Sequence, residues 1–160
     1  LSDPGFVDLV VSAAAEAGLP LARLELELVE NVMIENFDLV HDVLAKLRTL
    51  GVRIALDDFG VGYSSLTYLR KLPLDKLKID KSFVDDLASP VSAAIIQAII
   101  GMAKALALKT TAEGVETDPQ RLFLRVCGCE YLQGYLFSRP VAPEAITQML
   151  ARVQTERRAV

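Results

Sequence analysis

Arg53-Ile54-Ala55-Leu56-Asp57 reads with a period of two: Ile54 and Leu56 take one face of an extended chain, and Arg53 and Asp57 share the other. The alternation recurs along the sequence. In Leu24-Glu25-Leu26-Glu27-Leu28 the leucines oppose the glutamates, Lys76 and Lys78 oppose Leu77 and Ile79, and Lys109, Thr111 and Glu113 oppose Leu108 and Ala112. These patterns predict strands over Leu24–Leu28, Val52–Asp57, Leu74–Asp80, Leu108–Glu113 and Cys129–Gln133. Around them, apolar residues return at three and four positions in Pro4–Ala17, Phe37–Leu50, Ser92–Leu106, Pro119–Cys127 and Pro143–Val153, which predicts helices.

Strands separated by helices imply parallel pairing through right-handed crossovers, in either an open doubly wound sheet or a (β/α)8 barrel. A doubly wound sheet is covered on both faces and its strands read as nearly continuous apolar runs. A barrel whose lumen holds a polar site can alternate. The polar face carried by every strand therefore favours an α/β fold of the barrel type. No repeat beyond this period, no low-complexity tract and no Pro/Gly linker divides the chain, which predicts one domain over residues 1–153 and a polar tail over 154–160.

Of the 160 residues 52% are hydrophobic and 24% charged, enough for one globular domain with its own core. The net charge of −4 and the scattered Lys and Arg argue against a nucleic-acid polymer as partner. Cys127 and Cys129 lack Cys or adjacent His partners and read as free thiols of a reducing compartment. Leu1-Ser2-Asp3-Pro4 has no basic n-region and no apolar run, so the expected location is the cytoplasm, with any membrane anchor of a longer protein lying N-terminal to this segment. Ala93–Leu108 contains Gln97 and Lys104, falls short of the ~20 apolar residues of a membrane span and reads as a buried helix. His41 lies on a predicted helix away from any strand end and reads as a surface residue.

Barrel enzymes place reactive groups at the C-terminal ends of their strands. By that criterion the candidates are Glu27, Asp57 with Asp58, Lys78, Glu113 and Gln133. Taken singly, each reads as an ordinary ion pair lining a barrel. Carboxylates converging on one mouth repel one another and lose hydration, and a single lysine is too little counter-charge. A divalent cation resolves the conflict, and hard oxygen ligands select Mg²⁺ or Mn²⁺. Adjacent aspartates at a strand end suit a two-metal site, for which phosphodiester hydrolysis is the natural reaction class. The following Phe59-Gly60-Val61-Gly62-Tyr63-Ser64-Ser65-Leu66, with its two glycines, is a candidate functional loop.

The string Asp57-Asp58-Phe59-Gly60-Val61-Gly62-Tyr63-Ser64-Ser65-Leu66 resembles the DDFGxGYSSL signature of EAL domains, the cyclic di-GMP phosphodiesterases. Leu74-Asp75-Lys76-Leu77-Lys78-Ile79-Asp80, Ala112-Glu113-Gly114-Val115-Glu116 and Gln133-Gly134-Tyr135-Leu136-Phe137-Ser138-Arg139-Pro140 follow in the family's order, so that the likeness covers residues 3–150. It implies Glu27, Asp57 and Asp58 as metal ligands, with Asp57 bridging two Mg²⁺ or Mn²⁺ ions. It implies Lys78 as the group holding the nucleophilic water or a phosphate oxygen, Glu113 as general base or metal-linked carboxylate, and Gln133 as a substrate-lining residue. Glu30 takes the place of the family's loop-anchoring glutamate and Glu116 that of a supporting one. Val29 stands where the family usually has Thr, which implies looser anchoring of the loop and removes no ligand.

The Glu-x-Leu motif that names the family, and an Asn expected just upstream, are not in this sequence. A complete barrel has eight strands and runs to ~250 residues, so about three N-terminal strands are expected to be missing and about five C-terminal βα units present. An unclosed barrel exposes strand edges and an apolar flank, which predicts a homodimer or oligomer, or dependence on further sequence. The resemblance implies hydrolysis of cyclic di-GMP to the linear dinucleotide by the complete domain, with this segment inactive alone, and upstream sensory or GGDEF domains as neighbours. Two other readings stand beside it: a non-catalytic cyclic di-GMP receptor or interaction module, and an unrelated Mg²⁺ barrel enzyme acting on a carbon acid with Lys78 as base.

Overall fold

Among the described residues, five parallel strands form one sheet in sequence order, neighbours hydrogen-bonded to one another. The computed structural model describes residues 3–29, 37–62 and 66–158, with backbone alone for 66–68 and 152–158. The strands are β1 Glu25–Val29, β2 Arg53–Phe59, β3 Lys76–Ile79, β4 Lys109–Ala112 and β5 Tyr131–Leu132. The helices are α1 Phe6–Glu16, α2 Phe37–Thr49, α3 Leu66–Lys71, α4 Lys81–Asp85, α5 Pro90–Ala105, α6 Asp118–Cys127 and α7 Pro143–Arg158, with a 3₁₀ turn at Leu21–Arg23.

The strand order separates the two α/β possibilities. A doubly wound sheet reverses direction at a switch point. Here every crossover steps the same way, and right-handed crossovers that never reverse leave the helices on one face and the sheet curling round the other. This is the α/β architecture of a (β/α)8 barrel, represented by five of its βα units.

The helix-facing side of the sheet is the core. Ile54, Leu56, Leu77 and Ile79 are fully buried there, together with Leu44 and Leu47 of α2 and Ile96, Ile100 and Ala103 of α5. Helix α2 packs on β2, and α5 packs on both β3 and β4. Each large side chain so buried contributes roughly 1.5–3 kcal/mol, well beyond the few tenths by which helix propensities differ. The apolar stretch that begins at Ala93 belongs to α5 and is spent on this packing. No helix among the described residues is long and apolar enough to cross a membrane.

Carboxylates stitch the amino-terminal ends of the strands. The Asp75 carboxylate accepts the Ile54 amide at 3.0 Å, and Glu130 accepts both the amide and the hydroxyl of Thr110, at 2.9 and 2.6 Å. Each carboxylate precedes its own strand and pairs a backbone N–H of the strand before it. Thr110 lies on the apolar face, 1% exposed, so its polar atoms have no recourse to water.

Two short helices, α3 and α4, lie where no helix was predicted. The hydrophobic period has too few turns to register in a five-residue helix such as α4, which is set instead by Asp80, whose carboxylate caps it by accepting the Ser82 amide at 2.9 Å. Helix α7 continues to Arg158, past the expected end at Val153. Gln154-Thr155-Glu156-Arg157-Arg158 contains no Gly or Pro to stop it. Cys129 is buried and Cys127 partly so; both are free thiols, and burial holds the Cys129 thiol above its usual pKa. His41 is a partly exposed residue of α2 beside Asp42.

Removing the Glu130 carboxylate strands two buried donors of Thr110, so Glu130→Ala is expected to lower stability by about 1–3 kcal/mol at pH 7 in urea unfolding. Burial pushes the Glu130 carboxyl up, but the Thr110 bonds outweigh it and hold it below the usual glutamate range. A depressed carboxylate stabilises above its unfolded pKa and loses that contribution as pH falls through its folded pKa. The gap between wild type and variant should therefore be full at neutral pH and narrow on acidification below the ordinary glutamate value.

Candidate active site

Lys78 stands at the middle of the polar face, on the central strand of the sheet, with its side chain only 6% exposed. Its ammonium donates to Glu27 Oε2 at 2.7 Å, Asp57 Oδ1 at 2.9 Å and Glu113 Oε1 at 2.7 Å, gathering carboxylates from β1, from β2 and from the residue after β4. Desolvation pushes its pKa down. The hydrogen bonds to Glu113, Glu27 and Asp57 outweigh that and hold it above the ordinary lysine value. An ammonium so held donates hydrogen bonds to three carboxylates and offers no lone pair to a carbon acid.

The aspartate pair is shaped by a break in the sheet. Regular alternation would aim Asp58 at the helix-facing side, opposite Asp57. Pairing between β2 and β3 shifts register between Leu56 and Phe59, and Asp58 has φ of +53°, the left-handed region that Asp tolerates better than most residues. The kink is closed by the Asp58 amide donating to Asp57 Oδ1 at 3.1 Å. Carboxylate oxygens of Asp57, Asp58 and Glu113 consequently lie within 4.8 Å of one another, a group able to hold a metal ion. Among the described residues, Asp57 and Glu113 each bind Lys78 through one oxygen and keep the other out of any hydrogen bond. The hard, anionic donor set left over is what a Mg²⁺-type cation requires.

Desolvation at the sheet end, followed by the charges of Asp57 and Asp80, raises the Asp58 carboxyl above its usual pKa. Asp80 was not among the sequence candidates. It lies close enough to Asp58 to raise that carboxyl by its charge, and is itself held low despite burial by the hydroxyl and amide of Ser82. Its signal was present, since Asp80 lies two residues beyond Lys78 and so continues the same face of β3.

On the other flank, Glu113 and Gln133 share a pocket with Lys81, Gly114, Glu116, Gly134 and Tyr135. Gln133 is fixed through its backbone: its amide donates to Ala112 O at 2.9 Å and its carbonyl accepts from Val115 at 3.0 Å. Gly134 passes so close to Val115 that a Cβ would lie 2.2 Å from the Val115 carbonyl oxygen, so that only glycine fits. Glu116 pairs with Lys81 at 2.9 Å and borders this pocket. The structure thus joins Glu27, Asp57 and Glu113 through Lys78, joins Asp57, Asp58 and Glu113 as a carboxylate group, and sets Gln133 beside Glu113 at the rim. Glu27 reaches the cluster through Lys78 and is outside the carboxylate group. Glu30 and part of the glycine loop, residues 63–65, lie outside the described residues.

A parallel barrel-type α/β domain with a carboxylate-rich, metal-competent cluster at the C-terminal ends of its strands is the class that fold and site define. Within that class, the chain belongs to the EAL domain family, whose model matches residues 1–140. The cyclic di-GMP phosphodiesterase NbdA of Pseudomonas aeruginosa is 51% identical over 151 residues, 94% of this chain and 19% of NbdA. The PaMucR phosphodiesterase in complex with c-di-GMP superposes with a TM-score of 0.86 at 42% identity, over 91% of this chain and 59% of that one. Klebsiella pneumoniae BlrP1 with manganese and cyclic di-GMP gives 0.80 at 36% identity, over 87% of this chain and 36% of that one. The chain thus spans about a fifth of NbdA and under two thirds of the PaMucR chain.

Lys78→Met leaves three carboxylates on one face without their cation. Its cost in urea unfolding should approach the about 3–5 kcal/mol of a broken buried ion pair. A loss no larger than the about 1 kcal/mol of a surface pair would show that the cluster does not depend on Lys78.

Proposed function

We propose that this chain is the greater part of a cyclic di-GMP phosphodiesterase domain that hydrolyses one phosphodiester bond to give the linear dinucleotide pGpG. The observation that carries the reading is the meeting of Asp57, Asp58 and Glu113 within 4.8 Å beside the buried Lys78. The activities of NbdA and PaMucR and the ligands of BlrP1 give it its substrate and its cofactor.

In this reading Asp57, Asp58 and Glu27 would hold Mg²⁺ or Mn²⁺, two ions in the complete domain, and Glu113 would add a further carboxylate. Bound there, the cation polarises a phosphoryl oxygen and lowers the pKa of water. Lys78 would exchange one of its three carboxylate bonds for one to the nucleophilic water or a phosphate oxygen and offset charge as the phosphorus centre gains it. Glu113 takes the proton from the water as it adds to phosphorus, and the departing ribose oxygen takes a proton from solvent as the P–O bond breaks. Gln133, at the pocket rim beside Glu113, lines the substrate, and Glu30 anchors the glycine loop. The open edge of the five-stranded sheet is met by further barrel strands or by a second copy, with sensory or GGDEF domains as neighbours in a longer cytoplasmic or membrane-anchored protein.

The test is conversion of cyclic di-GMP to pGpG with Mg²⁺ or Mn²⁺, measured on the chain extended N-terminally by the strands that close the barrel. Glu113→Gln should abolish turnover while largely sparing nucleotide binding. Near-normal rates in that variant would remove Glu113 from the chemistry. Binding without turnover in the unsubstituted protein would make it a cyclic di-GMP receptor.

A further inference from the structure

Ala55 is fully buried, yet it stands outside the apolar core cluster that takes in Ile54 and Leu56 on either side of it. It faces the polar side of the sheet, and what covers it is therefore the charged side chains of the neighbouring strands. In the pairing register Ala55 is the partner of Glu27 on one side and of Lys76 on the other. That places it under two ion pairs of the same form, Lys76 to Glu25 and Lys78 to Glu27, both at 2.7 Å.

Neither pair joins adjacent strands. β1 and β3 are each hydrogen-bonded to β2 and not to each other, so each pair crosses a whole strand, about 9.5 Å at twice the usual strand spacing. Lys76 lies level with Ala55 and reaches back to Glu25, the partner of Arg53. Lys78 begins two residues further on, touches Asp57, and reaches back to Glu27, the partner of Ala55. By this register the two pairs cross β2 one before and one after Ala55. Any branched or longer side chain at this position would stand in their path.

We propose that Ala55 is a positioning residue whose small side chain is the opening through which the β1–β3 ion pairs cross β2, and that it thereby sets where Glu27 and Lys78 stand against Asp57. The effect on metal binding rests on the function proposed above. The effect on the ion pairs does not.

The experiment compares the 160-residue chain with Ala55→Gly, Ala55→Ser, Ala55→Cys, Ala55→Val and Ala55→Leu by two readouts. One is the ammonium ¹H–¹⁵N resonance of Lys78 in lysine-labelled protein, assigned by its loss in Lys78→Arg and slowed in exchange by its three carboxylate bonds. The other is titration with Mn²⁺ alone. Wild type, Gly and Ser forms should retain the resonance. Folded Val and Leu forms should lose it and bind Mn²⁺ at least about tenfold more weakly, the scale of disturbing a group that orients ligands. Val or Leu forms that keep the resonance, with Mn²⁺ affinity within about twofold of wild type, overturn the proposal. So does a Gly form that loses both as fully as Val. If Val and Leu chains do not fold, the Gly, Ser and Cys series decides: weakening at Cys alone supports it, and equal behaviour across all three overturns it. A wild type that binds no Mn²⁺ while its resonance still tracks side-chain size would defeat the metal reading and leave the Ala55 proposal standing.

Discussion

One ammonium shared among three carboxylates is the interaction on which this molecule is arranged. Lys78 Nζ lies 2.7–2.9 Å from Glu27, Asp57 and Glu113, and those groups come from three different strands or strand ends. Lysine has three donor hydrogens, and all three are taken. The bonds lock relative positions along β1, β2, β3 and the turn after β4 at the level where the site is built. Hydrophobic packing on the other face holds the strands together without saying which charged atoms meet. The ammonium supplies that specification.

The polar face imposes a cost that the apolar face must carry. Charges on a sheet give up hydration, and a pair that is well made roughly breaks even against that loss. The helix-facing side, with Ile54, Leu56, Leu77 and Ile79 fully buried, is therefore the source of net stability. The Thr110–Glu130 and Ile54–Asp75 bonds keep this side sound at the strand starts, where a stray amide would otherwise face apolar neighbours. Sheet stability and site chemistry are thus divided between the two faces, and the period-two pattern of the sequence is the record of that division.

That pattern is why so much of the fold was legible. Arg53-Ile54-Ala55-Leu56-Asp57 shows both faces of β2 in five residues, and the same reading found Lys78 and Glu113 on the inner side. What escaped the sequence departs from periodicity. Asp58 reaches the site only through a positive φ and a register shift, and nothing in a string of letters gives the angle. Asp80 was not among the candidates; in the structure it caps α4 through Ser82 and acts by its charge on Asp58. Ala55 was invisible for the opposite reason: a small apolar residue in a strand attracts no notice until the two ion pairs are seen to cross over it. Glu30 was named on resemblance alone and lies outside the described residues.

The charge balance of the site explains why the fold and a bound cation belong together. Asp57, Asp58, Glu27, Glu113 and Asp80 crowd one end of the sheet, and Lys78 is the buried cation among them. The nearby Lys81 is engaged with Glu116 and Asp85. Loss of hydration, then the charges of Asp57 and Asp80, hold the Asp58 carboxyl above its usual pKa, which is the mark of that imbalance. A divalent cation bound to the oxygens that Lys78 leaves over would relieve the repulsion in one step. Because such an ion binds the folded arrangement and not the unfolded chain, its affinity adds to the stability of the sheet end that holds it. The repulsion that made these carboxylates implausible as decoration in the sequence is, in the folded protein, what a cation bound there would relieve.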